Sequence, residues 1–144
     1  MTDRPDCRLV RAGETYAGKQ GFKYVTGISA ESAGARGLCM MLLTIRPGER
    51  ARAHLHSDHE TAIYVVSGES VMWYGDRLER RMTVGAGDML YIPAGMPHLP
   101  ANVSDAPCVA VIARTDPNEQ ESVVLLPELE ALVGDPEPAR GSQV

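Results

Sequence analysis

The sequence predicts an all-β domain, an antiparallel barrel or sandwich, from three observations. Between about residue 37 and residue 115, short apolar or alternating runs follow one another at close spacing. Each run ends in turn chemistry: Pro47-Gly48, Ser57-Asp58, Ser67-Gly68, Gly75-Asp76 or Gly85-Ala86-Gly87. No long stripe of helical period interrupts them.

The predicted strands, in order, are 38–45, 50–56, 61–66, 70–74, 79–84, 89–92 and 108–114. Between the last two, residues 93–100 hold three prolines and a glycine, so this stretch is predicted to be irregular. Residues 1–36 are read as an N-terminal arm, with strand material at 23–28 and a loop of small residues at 29–37, able to pair with its own barrel or a neighbour. Residues 37–115 form the barrel core. Residues 116–133 supply a further apolar run at 122–126 and a short helix opening at Pro127. The tail, 134–144, is rich in Pro, Gly and charge and is predicted to be disordered.

Composition narrows the function classes. A chain of 144 residues is one ordinary domain, and its 44% hydrophobic and 23% charged content is that of a globular protein. The net charge of -5 comes without any basic cluster, which argues against nucleic acid as a partner. No apolar run is long enough to cross a bilayer, and the N-terminus lacks the pattern of a secretory signal, so a cytoplasmic location is expected. Cys7, Cys39 and Cys108 are far apart with no C-x-x-C pair; Cys39 and Cys108, inside apolar runs, are expected to be small buried hydrophobes.

Histidine use is the feature that points to chemistry. Of four histidines, three stand in the eight residues "AHLHSDHE", as His54, His56 and His59; the fourth is His98. Alternation along "RARAHLH" puts Arg50, Arg52, His54 and His56 on one strand face, where two imidazoles two residues apart can reach one metal ion. Imidazole suits Zn, Fe, Cu and Ni alike, so the spacing implies an ion without naming it. Arg52, with Arg50, is expected at the barrel mouth to attract a carboxylate or phosphate.

The surroundings of these histidines carry a family resemblance. Gly48, His54 and His56, followed by Glu60 and Gly68, resemble the first motif of the cupin superfamily, G-x5-H-x-H-x3,4-E-x6-G. Gly87, Pro93, Gly95, His98 and Asn102 match its second motif, G-x5-P-x-G-x2-H-x3-N, at every fixed position. The resemblance spans residues 48–102 and implies an antiparallel double-stranded β-helix, a jelly-roll-like barrel holding one divalent transition metal ion (Fe, Mn, Zn, Ni or Cu). His54, His56 and His98 match the family's histidine ligands.

The fourth ligand does not count out. Three residues after His56 lead to Glu60, whereas six residues before Gly68 lead to Thr61, so the first motif is one residue out of step with itself. A bulge would turn Glu60 inward; without one, strand parity turns Thr61 and His59 inward. Parity and donor chemistry favour His59 as the fourth ligand, with Glu60 left as an alternative ligand, an orienting group or a catalytic base.

Tyr64 and Tyr91, if they face inward, are candidate substrate-binding or proton-transfer residues; parity sets Tyr64 opposite Ile63 and Val65, toward a second layer or a partner. The resulting expectation is an oxygenase or dioxygenase acting on a small organic molecule. A Zn-type isomerase or cyclase, sugar-phosphate isomerases included, and a non-catalytic metal- or ligand-binding cupin are the alternatives. A homodimer is the expected assembly, from both the resemblance and the exposed barrel edges.

Overall fold

The computed structural model describes residues 4–11, 15–17, 21–118 and 122–134. Among the described residues, eleven strands form two facing antiparallel sheets. They are β1 (Thr15–Ala17), β2 (Lys23–Ile28), β3 (Cys39–Ile45), β4 (His54–His56), β5 (Thr61–Ser67), β6 (Glu69–Tyr74), β7 (Arg80–Gly85), β8 (Met89–Ile92), β9 (His98–Ala101), β10 (Cys108–Arg114) and β11 (Val123–Leu125). One sheet runs β1-β2-β3-β10-β5-β8 and the other β11-β4-β9-β6-β7. Two short helices, α1 (Ala30–Ala33) and α2 (Pro127–Val133), complete the elements.

Period-2 alternation writes the core directly. Along β3, Cys39, Met41, Leu43 and Ile45 are buried, while Met40, Leu42 and Thr44 are exposed. These inward residues meet Phe22, Tyr24, Val65, Val84 and Ile112 in the main core, with Cys108 also buried among them. A second cluster forms where Leu129 of α2 packs with Ala53, Leu78 and Leu99, joined by Trp73. The N-terminal arm folds back on its own barrel: β2 pairs with β3 from Lys23↔Thr44 to Ile28↔Met40. β11 does the same for the opposite end, pairing Val123 with His56 and Leu125 with His54.

The structure corrects two strand assignments. The run 50–56 is a strand only over His54–His56; Ala51, Ala53 and His54 are all buried, so alternation breaks between Ala53 and His54. Arg50 makes an isolated bridge to Ala101 and sends its guanidinium to the carbonyls of Glu130 and Gly134 at the end of α2. There a cation complements the exposed carbonyls of the last turn. The second correction is β9, a strand across Pro100. The carbonyl of Pro100 accepts from Ala51 N at 2.9 Å, and since the N and C=O of one strand residue point the same way, its nitrogen faces away from the β6 ladder. The tail at 135–144, expected to be disordered, lies outside the described residues.

Gly68 closes the β5-β6 turn at φ +75°, and a Cβ there would stand 2.1 Å from the Pro107 carbonyl oxygen. Gly48 has a similar φ of +83° but open space around it. Gly48→Ala is therefore expected to cost about 1 kcal/mol, the left-handed backbone term by itself. Gly68→Ala should cost clearly more, on the order of 3 kcal/mol, because backbone must move. Urea unfolding of the two variants checks the difference.

Candidate metal centre

His54 and His98 are cross-strand partners, and this one register brings the two sequence motifs together. Directly opposed residues on antiparallel strands hold their side chains side by side. Here the ring centroids lie 4.2 Å apart. His56, two residues along β4 and so on the same face, lies 5.2 Å from His54 and 5.5 Å from His98 by ring centroids. All three are buried, and one nitrogen from each falls within 4.8 Å of the others.

Local backbone orients two of these rings. His54 Nδ1 is bonded to the Arg52 carbonyl at 2.7 Å, and His98 Nδ1 to the Met96 carbonyl at 2.9 Å. A carbonyl can only accept, so each Nδ1 carries the proton and each Nε2 presents its lone pair. His56 has no such clamp, and its Nδ1 is buried without a hydrogen-bond partner. The Gly95 N–H holds the His56 carbonyl at 2.8 Å, which ties the turn before His98 to the strand carrying His56. The motif residue Asn102 braces the surrounding loops, its Nδ2 donating to the carbonyls of Ile45 and Ala106, both at 2.8 Å.

Burial keeps these imidazoles neutral. Desolvation is the largest cause in every case. It holds His54 well below the ordinary histidine range, with the neighbouring His98 adding to it. It depresses His56 strongly, helped by the Arg114 guanidinium, and pushes His98 down to about 4. Neutral imidazoles are the ligating form, so no proton has to be displaced at neutral pH. A neutral N3 set with an orphaned ring nitrogen fits a divalent transition metal ion, and three protein ligands leave coordination positions open.

Beside the histidines lies a cavity of about 50 Å³, walled mostly by apolar side chains such as Leu43, Ile63, Val84 and Ile112. Thr61 and Arg114 also line it. Parity placed Thr61 inward, but the sequence reading gave neither residue a role in the site. The signal for Arg114 was available: on β10, buried Cys108, Ala110 and Ile112 set the inward phase, and Arg114 continues it.

The remaining expected site residues fall elsewhere. His59 is buried with its ring 4.6 Å from that of His56, but it is not part of the three-membered group. Its Nδ1 is bonded to the Ser122 hydroxyl at 2.6 Å with the Asp116 carboxylate 3.3 Å away, and its Nε2 is buried without a partner. Desolvation lowers its pKa, reinforced by Arg114 and opposed by Asp116. Glu60 is exposed, out of phase with the buried Thr61, and its carboxylate accepts from the Tyr91 hydroxyl at 2.6 Å. Tyr91 and Tyr64 stand on the outer face of the sheet, 59% and 42% exposed, opposite in phase to the cavity-lining Ile63 and Ile92. Arg52 is exposed because the strand that would have turned it inward begins only at His54; its contribution to the site is its carbonyl.

The comparisons agree with this geometry. The profile of the Cupin domain family matches residues 41–113, and the chain belongs to that family. No curated relative matches the sequence. Among solved structures, oxalate decarboxylase from Bacillus subtilis, an enzyme with Mn(II) centres, is 25% identical with a TM-score of 0.64; the match covers 75% of this chain and 29% of that one. Oxalate decarboxylase from Lactobacillus farciminis, solved as a formate complex, is 22% identical with a TM-score of 0.66, over 83% of this chain and 35% of that one. A protein assigned as a sugar phosphate isomerase from Acidithiobacillus ferrooxidans is 23% identical with a TM-score of 0.57, over 71% of this chain and 66% of that one. The chain thus spans under a third of the Bacillus subtilis enzyme.

Neutral burial has a consequence for stability. Between the lowered folded pKa of His98, about 4, and the unfolded value near 6.5, the unfolded chain binds more protons than the native one. The metal-free protein should therefore be fully stabilised above about pH 6.5 and lose a few kcal/mol as pH falls toward 4. Urea titrations at a series of pH values test this; a flat profile would show that these imidazoles are not buried neutral.

Proposed function

We propose that this cupin binds a divalent transition metal ion through His54, His56 and His98 and acts, as an oxygenase or dioxygenase, on a small organic molecule held in the barrel. The supporting observation is the opening of three neutral, converging imidazoles onto a mostly apolar cavity. A bound redox-active ion such as Fe, Mn, Cu or Ni would supply electron exchange with dioxygen and substrate. The likeness to a Mn(II) enzyme supports Mn among these. The chain's own residues keep the site ready. Arg52 and Met96 carbonyls hold two rings in the ligating tautomer, and the apolar wall keeps bulk water from the reacting molecule.

Two observations weigh against a sugar-phosphate isomerase. A cavity of about 50 Å³ is small for a sugar phosphate, and among the described residues no carboxylate lines it to shuttle a proton. Small-ligand binding without turnover is the second reading.

Protein purified without a metal-affinity tag should carry close to one equivalent of transition metal per chain by elemental analysis. His54→Ala or His98→Ala should lower metal affinity by about a hundredfold or more, since each removes one of three ligands. His59→Ala, which removes a neighbour of a ligand, should cost about tenfold or less. Glu60→Ala should change nothing measurable. Oxygen uptake with short enolisable carbonyl compounds, measured for each of Fe, Mn, Cu, Ni and Zn, tests the first reading: no uptake with any ion overturns the oxygenase and leaves oxygen-independent turnover or binding alone.

The assembly proposed is a homodimer through the outer face of the larger sheet. There Leu42, Tyr64 and Met89 are exposed in one cross-strand row with Val111, and Met40 and Tyr91 in the next row with Ala113 and Ala62. Met89→Glu combined with Tyr64→Glu should shift a dimer to monomer in sedimentation; a wild-type monomer at all concentrations sinks this assembly.

A further inference from the structure

We infer that His59 is a positioning residue for His56: with His56 Nε2 on the ion, the His56 Nδ1–H donates to His59 Nε2, and Ser122 and Asp116 fix His59 from behind. The inference rests on the metal-centre reading above and gives the fourth histidine a task in that same site other than ligation.

An imidazole that ligates through Nε2 has a proton on Nδ1 to place. His54 and His98 place theirs on the Arg52 and Met96 carbonyls, at 2.7 and 2.9 Å. His56 lines the cavity, and Nδ1 is its buried nitrogen, without a partner among the described residues, so Nε2 is the nitrogen it has for the ion. The ring of His59 lies 4.6 Å from that of His56, tilted by 36°, and its Nε2 is likewise buried and unmet.

Of this pair, His59 is the acceptor. Its Nδ1 lies 2.6 Å from the Ser122 hydroxyl and 3.3 Å from the Asp116 carboxylate. A carboxylate only accepts, and it repels a bare lone pair, so the proton sits on Nδ1 and Nε2 keeps its lone pair. Asp116 is itself held, its other oxygen taking the Asn118 N–H at 2.8 Å. One nitrogen with a proton to give and one with a lone pair to receive it, both buried on adjacent rings, each cost free energy until they meet. A carboxylate behind the chain also raises the basicity of the ligand it backs.

The backbone builds this arrangement. The turn between β4 and β5 is fastened at both ends: Ser57 N donates to the Ser122 carbonyl at 3.0 Å, and Thr115 N to the Glu60 carbonyl at 3.1 Å. Glu60 N returns a bond to Thr115 Oγ1 at 2.9 Å. His59 therefore stands between the segments that supply Ser122 and Asp116. It takes no part in the cavity wall, which leaves a ligand ring, not a molecule in the cavity, for its Nε2 to meet.

The test is NMR of the protein with isotope-labelled histidine nitrogens, loaded with one equivalent of zinc. Zinc should sit on Nε2 of His54, His56 and His98, and scalar coupling should connect His56 Nδ1 to His59 Nε2 across the shared proton. In His59→Leu, exchange of the His56 Nδ1–H with water should quicken about tenfold or more while those of His54 and His98 keep their wild-type rates. Zinc affinity should fall by up to about tenfold in the same variant. His59→Gln, whose amide oxygen can accept the same proton, should restore most of the protection. Zinc on His59, no coupling in the wild type, or unchanged His56 exchange in His59→Leu overturns the inference while leaving the metal centre standing. Failure of the wild type to load zinc overturns both. Should His59→Leu fail to fold by circular dichroism, the wild-type coupling decides by itself.

Discussion

Three imidazoles buried side by side without charge are the constraint on which this structure turns. Burying polar rings is costly unless their nitrogens are met, and protonating them there would cost more. Each has to be supplied with a partner from backbone or from an ion. The Arg52 and Met96 carbonyls meet two of the six nitrogens, leaving the opposite nitrogens facing a common point. The orphaned Nδ1 of His56 shows that the protein alone does not complete the set.

Much of the fold serves to hold that arrangement. The His54↔His98 register joins segments far apart in sequence. The Gly95 N–H pins the β4 carbonyl at His56, and Gly48 N donates to the Asn102 carbonyl at 2.8 Å, so that motif residues from the two halves lock to one another. Four of the residues that carry the family resemblance, Gly48, Gly68, Gly95 and Asn102, act on backbone geometry rather than on a ligand. Their spacing is kept because the turns it specifies aim the histidines. At the far side, β11 and α2 cover the strand that carries His54 and His56, and Arg50 fastens the end of that helix.

The two faces of the larger sheet divide the work. Its inner face carries Thr61 and Arg114 to the cavity, among apolar walls that raise the strength of any charge interaction made there. Its outer face carries Tyr64, Met89 and Tyr91, exposed and contiguous. The field of Arg114 also reaches the histidines, adding to the burial that keeps them neutral. One guanidinium on the inner face thus favours the ligating form of the imidazoles.

How much of this was legible beforehand follows from what each feature depends on. The succession of strands, the inward phase of β3 and the histidine pair on β4 depend on period-2 alternation and turn chemistry, which are local, and so they could be read from residues. The placement of Glu60 and Tyr64 outside obeys the parity that turns Thr61 inward, and Tyr91, on β8, follows its pairing with Ala62; the irregularity that β5 does make lies at its far end, between Val65 and Ser67, and leaves Glu60 outside. Arg52 was misplaced because the strand starts late: pairing to the neighbouring β9 is interrupted between the isolated Arg50–Ala101 bridge and the His54–His98 pair, so alternation does not carry through Arg52. That β9 tolerates Pro100 depended on which neighbour its nitrogen faces. The amino-acid sequence alone determined the all-β class, the two motifs and which histidines could meet, because these are properties of spacing along one strand or turn. Only the tertiary structure decided that His54, His56 and His98 bring nitrogens within 4.8 Å of one another with His59 beside His56, and that Arg114 and Thr61 share their cavity, because both depend on which residues distant strands bring to one side.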